Sequence, residues 1–286
     1  MADRIGQLIK SKAVKENLSS SRIASLTGVS ESYAEHFVRN DRNFREDQLQ
    51  KILPLFGVIF PSGSFFPVNT TQGNFISLPN ISSPELMQII GYFLGDGNLQ
   101  KRSIRFKDSD KEVLNVYQRL IRKTFNIEGR VVPQKGTIAY LLEVNSLYLR
   151  KWFQENIVSR KKEFLEEVNQ LPQKKLTAFL RGLFDAEGFV AIQSRQIRLG
   201  ITNREIGEIL PALISKLGIP LTSHLIKRRE PNWKDVYLIS LNNYASFDKF
   251  SKYIGFSSKE KNKRLEFLIE RKPKIKLMNK FNLCVG

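Results

Sequence analysis

Ile89-Ile90-Gly91-Tyr92-Phe93-Leu94-Gly95-Asp96-Gly97 and Leu180-Arg181-Gly182-Leu183-Phe184-Asp185-Ala186-Glu187-Gly188 are two versions of one nonapeptide, and the fold follows from their being a pair. Each closes on an acid and a glycine, and each carries small residues four positions apart, Gly91 with Gly95 and Gly182 with Ala186. Residues at that spacing share one face of a helix. A glycine inside a soluble helix costs about 1 kcal/mol against alanine, so the two stripes predict a close backbone approach between the copies. Before the first copy, Ser82-Ser83-Pro84-Glu85 supplies a serine cap, an early proline and a glutamate at the capping-box spacing from Ser82. Gly97 and Gly188 are predicted to end the two helices, which puts Asp96 and Glu187 at helix C-termini.

The duplication continues downstream with a period of about 91 to 97 residues. Ile104-Arg105-Phe106 through Glu112 matches Ile197-Arg198-Leu199 through Glu205, and Tyr140-Leu141 with Asn145 matches Tyr237-Leu238 with Asn242. Phe153 and Ile157 then match Phe250 and Ile254. β-Branched and aromatic residues fill the predicted strands, with polar turns at Gln134-Lys135-Gly136 and Glu230-Pro231-Asn232. Each copy reads helix, hairpin, helix, hairpin, helix, an α+β fold. If the motif helices pair about a pseudo-two-fold axis, Asp96 and Glu187 come together while each faces the negative end of its own helix dipole. Two carboxylates so placed need a cation, and a hard divalent ion that keeps water and phosphate oxygens suits them.

The paired nonapeptides resemble the LAGLIDADG signature in its single-chain, two-copy form, over about residues 83–270. The resemblance implies two αββαββα halves whose saddle-like sheets lie over the major groove of double-stranded DNA, with the acids binding divalent metal at two scissile phosphates. It implies an intron-encoded homing endonuclease: a monomeric, sequence-specific, metal-dependent enzyme making double-strand breaks at a long target site. Carried over residue by residue, Asp96 and Glu187 are the catalytic, metal-holding acids, with Gly95 and Ala186 beside them in the metal site. Mg²⁺ is the implied cofactor, with Mn²⁺ expected to substitute and Ca²⁺ to support binding without cleavage. Asp185, whose counterpart is Leu94, maps to a position that is usually structural. Lys259, within Ser257-Ser258-Lys259-Glu260-Lys261-Asn262, matches the place of a catalytic lysine near the metal water, and Lys162, within Ser159-Arg160-Lys161-Lys162, is its repeat partner. DNA-reading side chains are expected from Gln100, Lys101, Arg102, Arg105, Lys107, Gln193, Arg195, Gln196, Arg198, Lys227, Arg228 and Arg229, because Arg, Lys and Gln make bidentate or phosphate contacts.

The remainder of the chain agrees with such a partner. Its 286 residues carry 46 basic and 28 acidic side chains, a formal charge of +18 that usually answers a polyanion. The surplus is +2 over residues 1–82, +10 over 83–254 and +6 over 255–286. One cysteine, Cys284, and two histidines, His36 and His224, exclude an internal disulfide, a zinc finger and a His-rich metal site. The longest mostly apolar stretch, Leu53 to Phe60, is broken by Pro54 and Gly57, far short of the ~20 residues that span a bilayer. No membrane partner and, without a secretory signal, a cytoplasmic location are expected.

Residues 1–57 read as a small all-α domain. Ser21 to Ala34 has the layout of two helices at a tight turn, with Gly28 supplying a positive φ, Ser30 capping the second helix, and Val29, Ala34 and Phe37 facing inward. It resembles a lambda-repressor-like helix-turn-helix, whose exposed candidates for DNA are Ser32, Tyr33, Glu35, His36 and Arg39. Residues 58–82 form an uncharged aromatic connector, 83–170 and 171–270 the two repeats, and 271–286 a basic tail. Alternatives to the endonuclease are a non-cleaving transcriptional regulator and an RNA-splicing maturase on the same fold. An intein is disfavoured, because residue 1 is Met and the chain closes on Leu283-Cys284-Val285-Gly286 without a His-Asn ending.

Overall fold

The computed structural model describes residues 19–38, 68–69, 75–76, 83–228, 230 and 233–271, and the chain divides into two compact units, residues 1–182 and 183–286. In the first unit, α1 (Ser20–Thr27) and α2 (Glu31–Val38) meet at Gly28, whose φ of 68° lets its N–H reach the Ala24 carbonyl at 2.9 Å. Ser19 caps α1 and Ser30 caps α2, each hydroxyl accepting a backbone N–H at 3.3 Å. Ile23, Ala24 and Ala34 are buried and Val29 is half-buried. The inward place expected for Phe37, and the rest of the expected helical domain, lie outside the described residues. From the connector, β1 (Val68–Asn69) pairs antiparallel with β2 (Phe75–Ile76).

The first repeat comprises α3 (Pro84–Asp96), β3 (Gly97–Leu99), β4 (Ile104–Asp108), α4 (Lys111–Phe125), β5 (Arg130–Pro133), β6 (Tyr140–Val144) and α5 (Leu147–Phe153). α5 runs directly into a π-helical turn, Gln154–Val158, followed by α6 (Lys161–Asn169) and by α7 (Gln173–Glu187), of which the stretch to Gly182 belongs to this unit. The four strands form an antiparallel sheet in the order β3-β4-β6-β5. Ile104, Phe106, Leu142 and Val144 alternate toward the core, where α3 and α4 cover them. Tyr92 anchors that interface, with its ring 4.2 Å from Tyr117 and its hydroxyl donating to Asp108 Oδ2 at 2.7 Å. Fully burying a side chain of this size is worth about 1.5–3 kcal/mol.

The N-terminus of α3 differs from the expected capping box. Ser83, not Ser82, is the cap, its hydroxyl accepting the Leu86 N–H at 3.1 Å. Glu85 turns instead to Lys123 on α4, 2.6 Å away, and that ammonium holds its carboxyl below the usual range.

The second unit contains the end of α7, then β7 (Gly188–Ala191), β8 (Gln196–Ile201), α8 (Arg204–Ser215), β9 (Thr222–Ile226), β10 (Val236–Leu241), α9 (Tyr244–Tyr253) and α10 (Lys259–Glu270). Its sheet has the corresponding order β7-β8-β10-β9. Ile197, Leu199, Ile201, Ile239 and Leu241 face α8, which contributes Ile206, Leu210, Leu213 and Ile214. Gly207 opens α8 to the Tyr237 ring, since a Cβ there would lie 2.2 Å from a ring carbon. Phe184, Phe250 and Phe256 close the core, with ring centroids 4.8 and 5.1 Å apart in successive pairs. Among the described residues no helix is long and apolar enough to cross a membrane.

Candidate nucleic-acid interface and metal-binding acids

The motif helices touch through their main chains. A Cβ on Gly91 would lie 2.1 Å from the Phe179 carbonyl oxygen, and one on Gly182 would lie 2.1 Å from the Gln88 carbonyl oxygen. Only glycine permits that approach, which all lies within residues 1–182. Asp96 and Glu187 each follow their glycine by five residues and are the last residues of α3 and α7. Asp96 is exposed and Glu187 half-buried.

Both helices stop where the acid-glycine pairs predict, but not by a left-handed turn. Gly97 is extended, with φ of −88°. Glycine is needed there because a Cβ would lie 2.3 Å from the Phe93 ring; at Gly188 it would lie 2.5 Å from the Phe184 carbonyl oxygen. Each chain thus passes from its acid straight into the first strand of a sheet.

Asp185 is fully buried and occupied. Oδ1 accepts the Ser257 N–H and Oδ2 the Ser257 hydroxyl, both at 2.6 Å, while its carbonyl accepts from Lys261 Nζ at 2.6 Å. These bonds tie the motif helix to the loop that precedes α10 and to the first turn of α10. Leu94, the matching residue of the first copy, has no carboxylate for such a clamp.

Among the described residues no group of three or more His, Cys, Asp and Glu side chains forms a metal cage. Asp96 and Glu187 each offer carboxylate oxygens, the donor type that Mg²⁺ takes together with water and phosphate.

The sheet faces opposite the helices carry much of the expected DNA-reading pool. On the first sheet Arg105 and Lys107 alternate with buried Ile104 and Phe106, while Gln100, Lys101 and Arg102 occupy the turn from β3 to β4. Arg105 is pinned by two N–H bonds to Glu143 Oε1, at 2.8 and 2.6 Å, from the facing position on β6. Its repeat partner Arg198 is held by Gln196 Oε1. Gln196 and Arg198 alternate with buried Ile197 and Leu199, whereas Gln193 and Arg195 lie on the turn from β7 to β8. Arg195 has a positive φ of 51°, a conformation that favours glycine. Lys227 and Arg228 follow β9 and are exposed; Arg229 lies outside the described residues.

Three residues of these faces escaped the sequence reading. Arg130 stands opposite Glu143 across β5 and β6, Asn98 stands opposite Arg105, and Phe189, 45% exposed, stands opposite Arg198. Arg130 opens β5 ahead of two successive valines, which give no alternation to mark its face.

The two lysines lie at helix starts. Lys259 opens α10 behind the Ser258 cap and is exposed. α6 opens at Lys161, so Lys162 is its second residue, also exposed, and by helix position the counterpart of Lys259 is Lys161. On α2, Ser32 and Glu35 are exposed and Tyr33 and His36 half-buried; Arg39 lies outside the described residues.

Two α/β repeats with antiparallel four-stranded sheets, each motif helix closing on an acid and a glycine, define a duplicated LAGLIDADG-type protein. Residues 83–158 and 174–255 match the LAGLIDADG-like domain, and the chain belongs to that family. It is 32% identical to an uncharacterized protein of Methanocaldococcus jannaschii, over 71% of this chain and 77% of that one. It is also 35% identical over 274 residues to the glutamine–fructose-6-phosphate aminotransferase of the same organism, covering 92% of this chain and 24% of that protein. The chain therefore spans about a quarter of the aminotransferase's length. Among solved structures, I-DmoI in complex with DNA and Mn is similar at a TM-score of 0.46 and 22% identity, over 62% of this chain and 98% of that one.

Proposed function

We propose that the chain is a sequence-specific, divalent-metal-dependent DNA endonuclease that makes double-strand breaks at a long target site. The observation that carries this reading is the repeated sequence of glycine contact, acid, glycine and strand. It sets Asp96 and Glu187 each at the edge of a sheet whose open face bears a fixed arginine, Arg105 or Arg198. Asp96 and Glu187, with Gly95 and Ala186 beside them, hold Mg²⁺ or Mn²⁺, and Ca²⁺ supports binding alone. The metal, when bound, neutralises charge on the scissile phosphate and lowers the pKa of its water. Arg105, Lys107, Gln196 and Arg198, with Gln100, Lys101, Arg102, Gln193, Arg195, Lys227 and Arg228 beside the strands and with Arg229, bind phosphates and base edges. Lys259 and Lys162 orient the attacking water. The N-terminal helices add DNA contacts through Ser32, Tyr33, His36 and Arg39, and the chain acts as a cytoplasmic monomer.

The test is a cleavage selection on a randomised duplex library in Mg²⁺ and in Ca²⁺. Cutting in Mg²⁺ and binding alone in Ca²⁺ are expected. Asp96→Ala and Glu187→Ala should each abolish double-strand cleavage while leaving DNA affinity largely in place, because affinity comes from the basic faces. Binding in both ions with no cutting in either would identify a non-cleaving regulator instead. Lys259→Met should slow cutting more than it weakens binding; equal losses would make the lysine a phosphate contact only.

A further inference from the structure

Trp233 lies between β9 and β10 and is 61% exposed, more than any phenylalanine or other tryptophan among the described residues. Scattered exposed apolar residues are ordinary, so exposure alone assigns nothing. Here the ring is also held in place. Its backbone N–H bonds the Glu230 carbonyl at 3.1 Å, and the base of the loop is closed by the Arg228 N–H on Asp235 Oδ1 at 3.0 Å. The Arg228 guanidinium lies over the ring, 5.4 Å from its centroid. With the cation on one side, an exposure of 61% leaves the remaining ring surface to solvent.

We infer that Trp233 is a stacking platform for an unstacked nucleobase, with Arg228 as the cation that orders the ring and meets the neighbouring phosphate. Cation-π contact polarises and fixes the indole, and a flat aromatic surface beside cations is what binds single-stranded nucleic acid without regard to sequence. Arg228 lies over the ring, Lys234 adjoins Trp233 in the chain and Lys227 adjoins Arg228, whereas Asp235, one of the two acids described there, is engaged by the Arg228 N–H. A peptide partner would use the ring without needing those cations; a base arrives with its phosphate. The inference rests on the reading of this chain as a DNA-binding protein and is independent of whether it cuts.

Trp152 and Trp233 are the only tryptophans, so full-length Trp152→Phe reports Trp233 fluorescence alone. If that variant misfolds, the difference between wild type and Trp233→Phe gives the same signal. The probes are a single strand of thymidines and an abasic strand with the same number of phosphates. Thymidine should quench Trp233 emission and the abasic strand should not. Trp233→Ala should weaken thymidine binding about 10-fold, the scale of one stacked base, and leave abasic binding unchanged, while Trp233→Phe keeps most of the affinity. Equal quenching by both strands, or unchanged thymidine affinity in Trp233→Ala, would overturn the assignment. Wild-type duplex cleavage in Mg²⁺ is measured alongside: its absence with base-dependent quenching rejects the nuclease and keeps the platform, and cutting with base-independent quenching does the reverse.

Discussion

Replacing Gly91 with alanine tests whether the motif helices are held at main-chain contact. The added Cβ would lie 2.1 Å from the Phe179 carbonyl oxygen, and real Cβ atoms essentially never come within 3.0 Å. The backbones must therefore separate by about 1 Å, because the obstacle is main chain and not a flexible side-chain end. A contact patch the size of one buried leucine makes ~50 atom pairs at about 0.15 kcal/mol each, and a 1 Å gap forfeits a quarter to a half of that, about 2–4 kcal/mol. Alanine returns about 1 kcal/mol through helix propensity, which leaves a net loss of about 1–3 kcal/mol, a fall of several degrees in melting temperature at ~2–4 °C per kcal/mol. Gly182→Ala should cost the same, because its Cβ meets the Gln88 carbonyl at the same 2.1 Å. The double variant should cost less than the sum, since one opening serves both. Denaturant unfolding followed by far-UV circular dichroism measures this. Gly200→Ala is the control: its Cβ would meet Val236 at an ordinary 3.5 Å, and the strand should gain about 0.5 kcal/mol. If Gly91→Ala is as stable as Gly200→Ala, the helices do not meet at these glycines.

Asp185→Ala should destabilise the protein by about 3 kcal/mol, because it removes two bonds to a buried carboxylate and strands the Ser257 N–H and hydroxyl; an unaltered unfolding curve would refute the clamp. Arg195→Gly should raise stability by about 1 kcal/mol, the cost of a left-handed backbone at an L-residue, read from the same curves. Glu85→Gln should cost only a few tenths of a kcal/mol at neutral pH, since its Lys123 partner is 69% exposed. The Glu85 carboxyl is lowered in the fold, so its contribution is present above about pH 4.3 and lost as pH falls through the lowered value; the wild-type and variant curves should merge in acid. Mg²⁺ at ~100 times its Kd should stabilise the wild type by ~2.7 kcal/mol. The melting temperature of Asp96→Asn/Glu187→Gln should not respond to it at constant ionic strength, and a full response would remove the metal from these acids.

The duplication was legible because its signal is local: small residues four apart, an acid-glycine end, and alternating strands after it. Ile104-Arg105-Phe106-Lys107 has the period of a half-buried strand, and the structure puts Arg105 and Lys107 on one face. Long-range partners were not legible. Ser82 and Ser83 stand side by side as possible caps, and Glu85 finds an ammonium, Lys123, 38 residues away. Glu143 on β6 fixes Arg105 across the sheet, which no spacing in the chain announces. A glycine after a helical acid reads alike whether it turns left-handed or clears a ring, and only the packing of Phe93 distinguishes the two at Gly97. The π-helical turn at Gln154–Val158 carries no proline or glycine to mark it.

The clamp at Asp185 bears on how such a chain can be recombined. Aspartate, Ser257 and Lys261 all lie in residues 183–286, so a graft of that whole segment onto another first half carries the clamp intact. The first half offers Leu94 where the second has aspartate, and, with Lys161 set against Lys259, Ser159 where the second has Ser257. At this position the halves are unlike parts: two second halves joined in tandem would each bring their own latch. A lone aspartate written into position 94 would be a half-buried charge without the bonds that hold Asp185, and the fold would have to hydrate it, neutralise it or recruit Ser159.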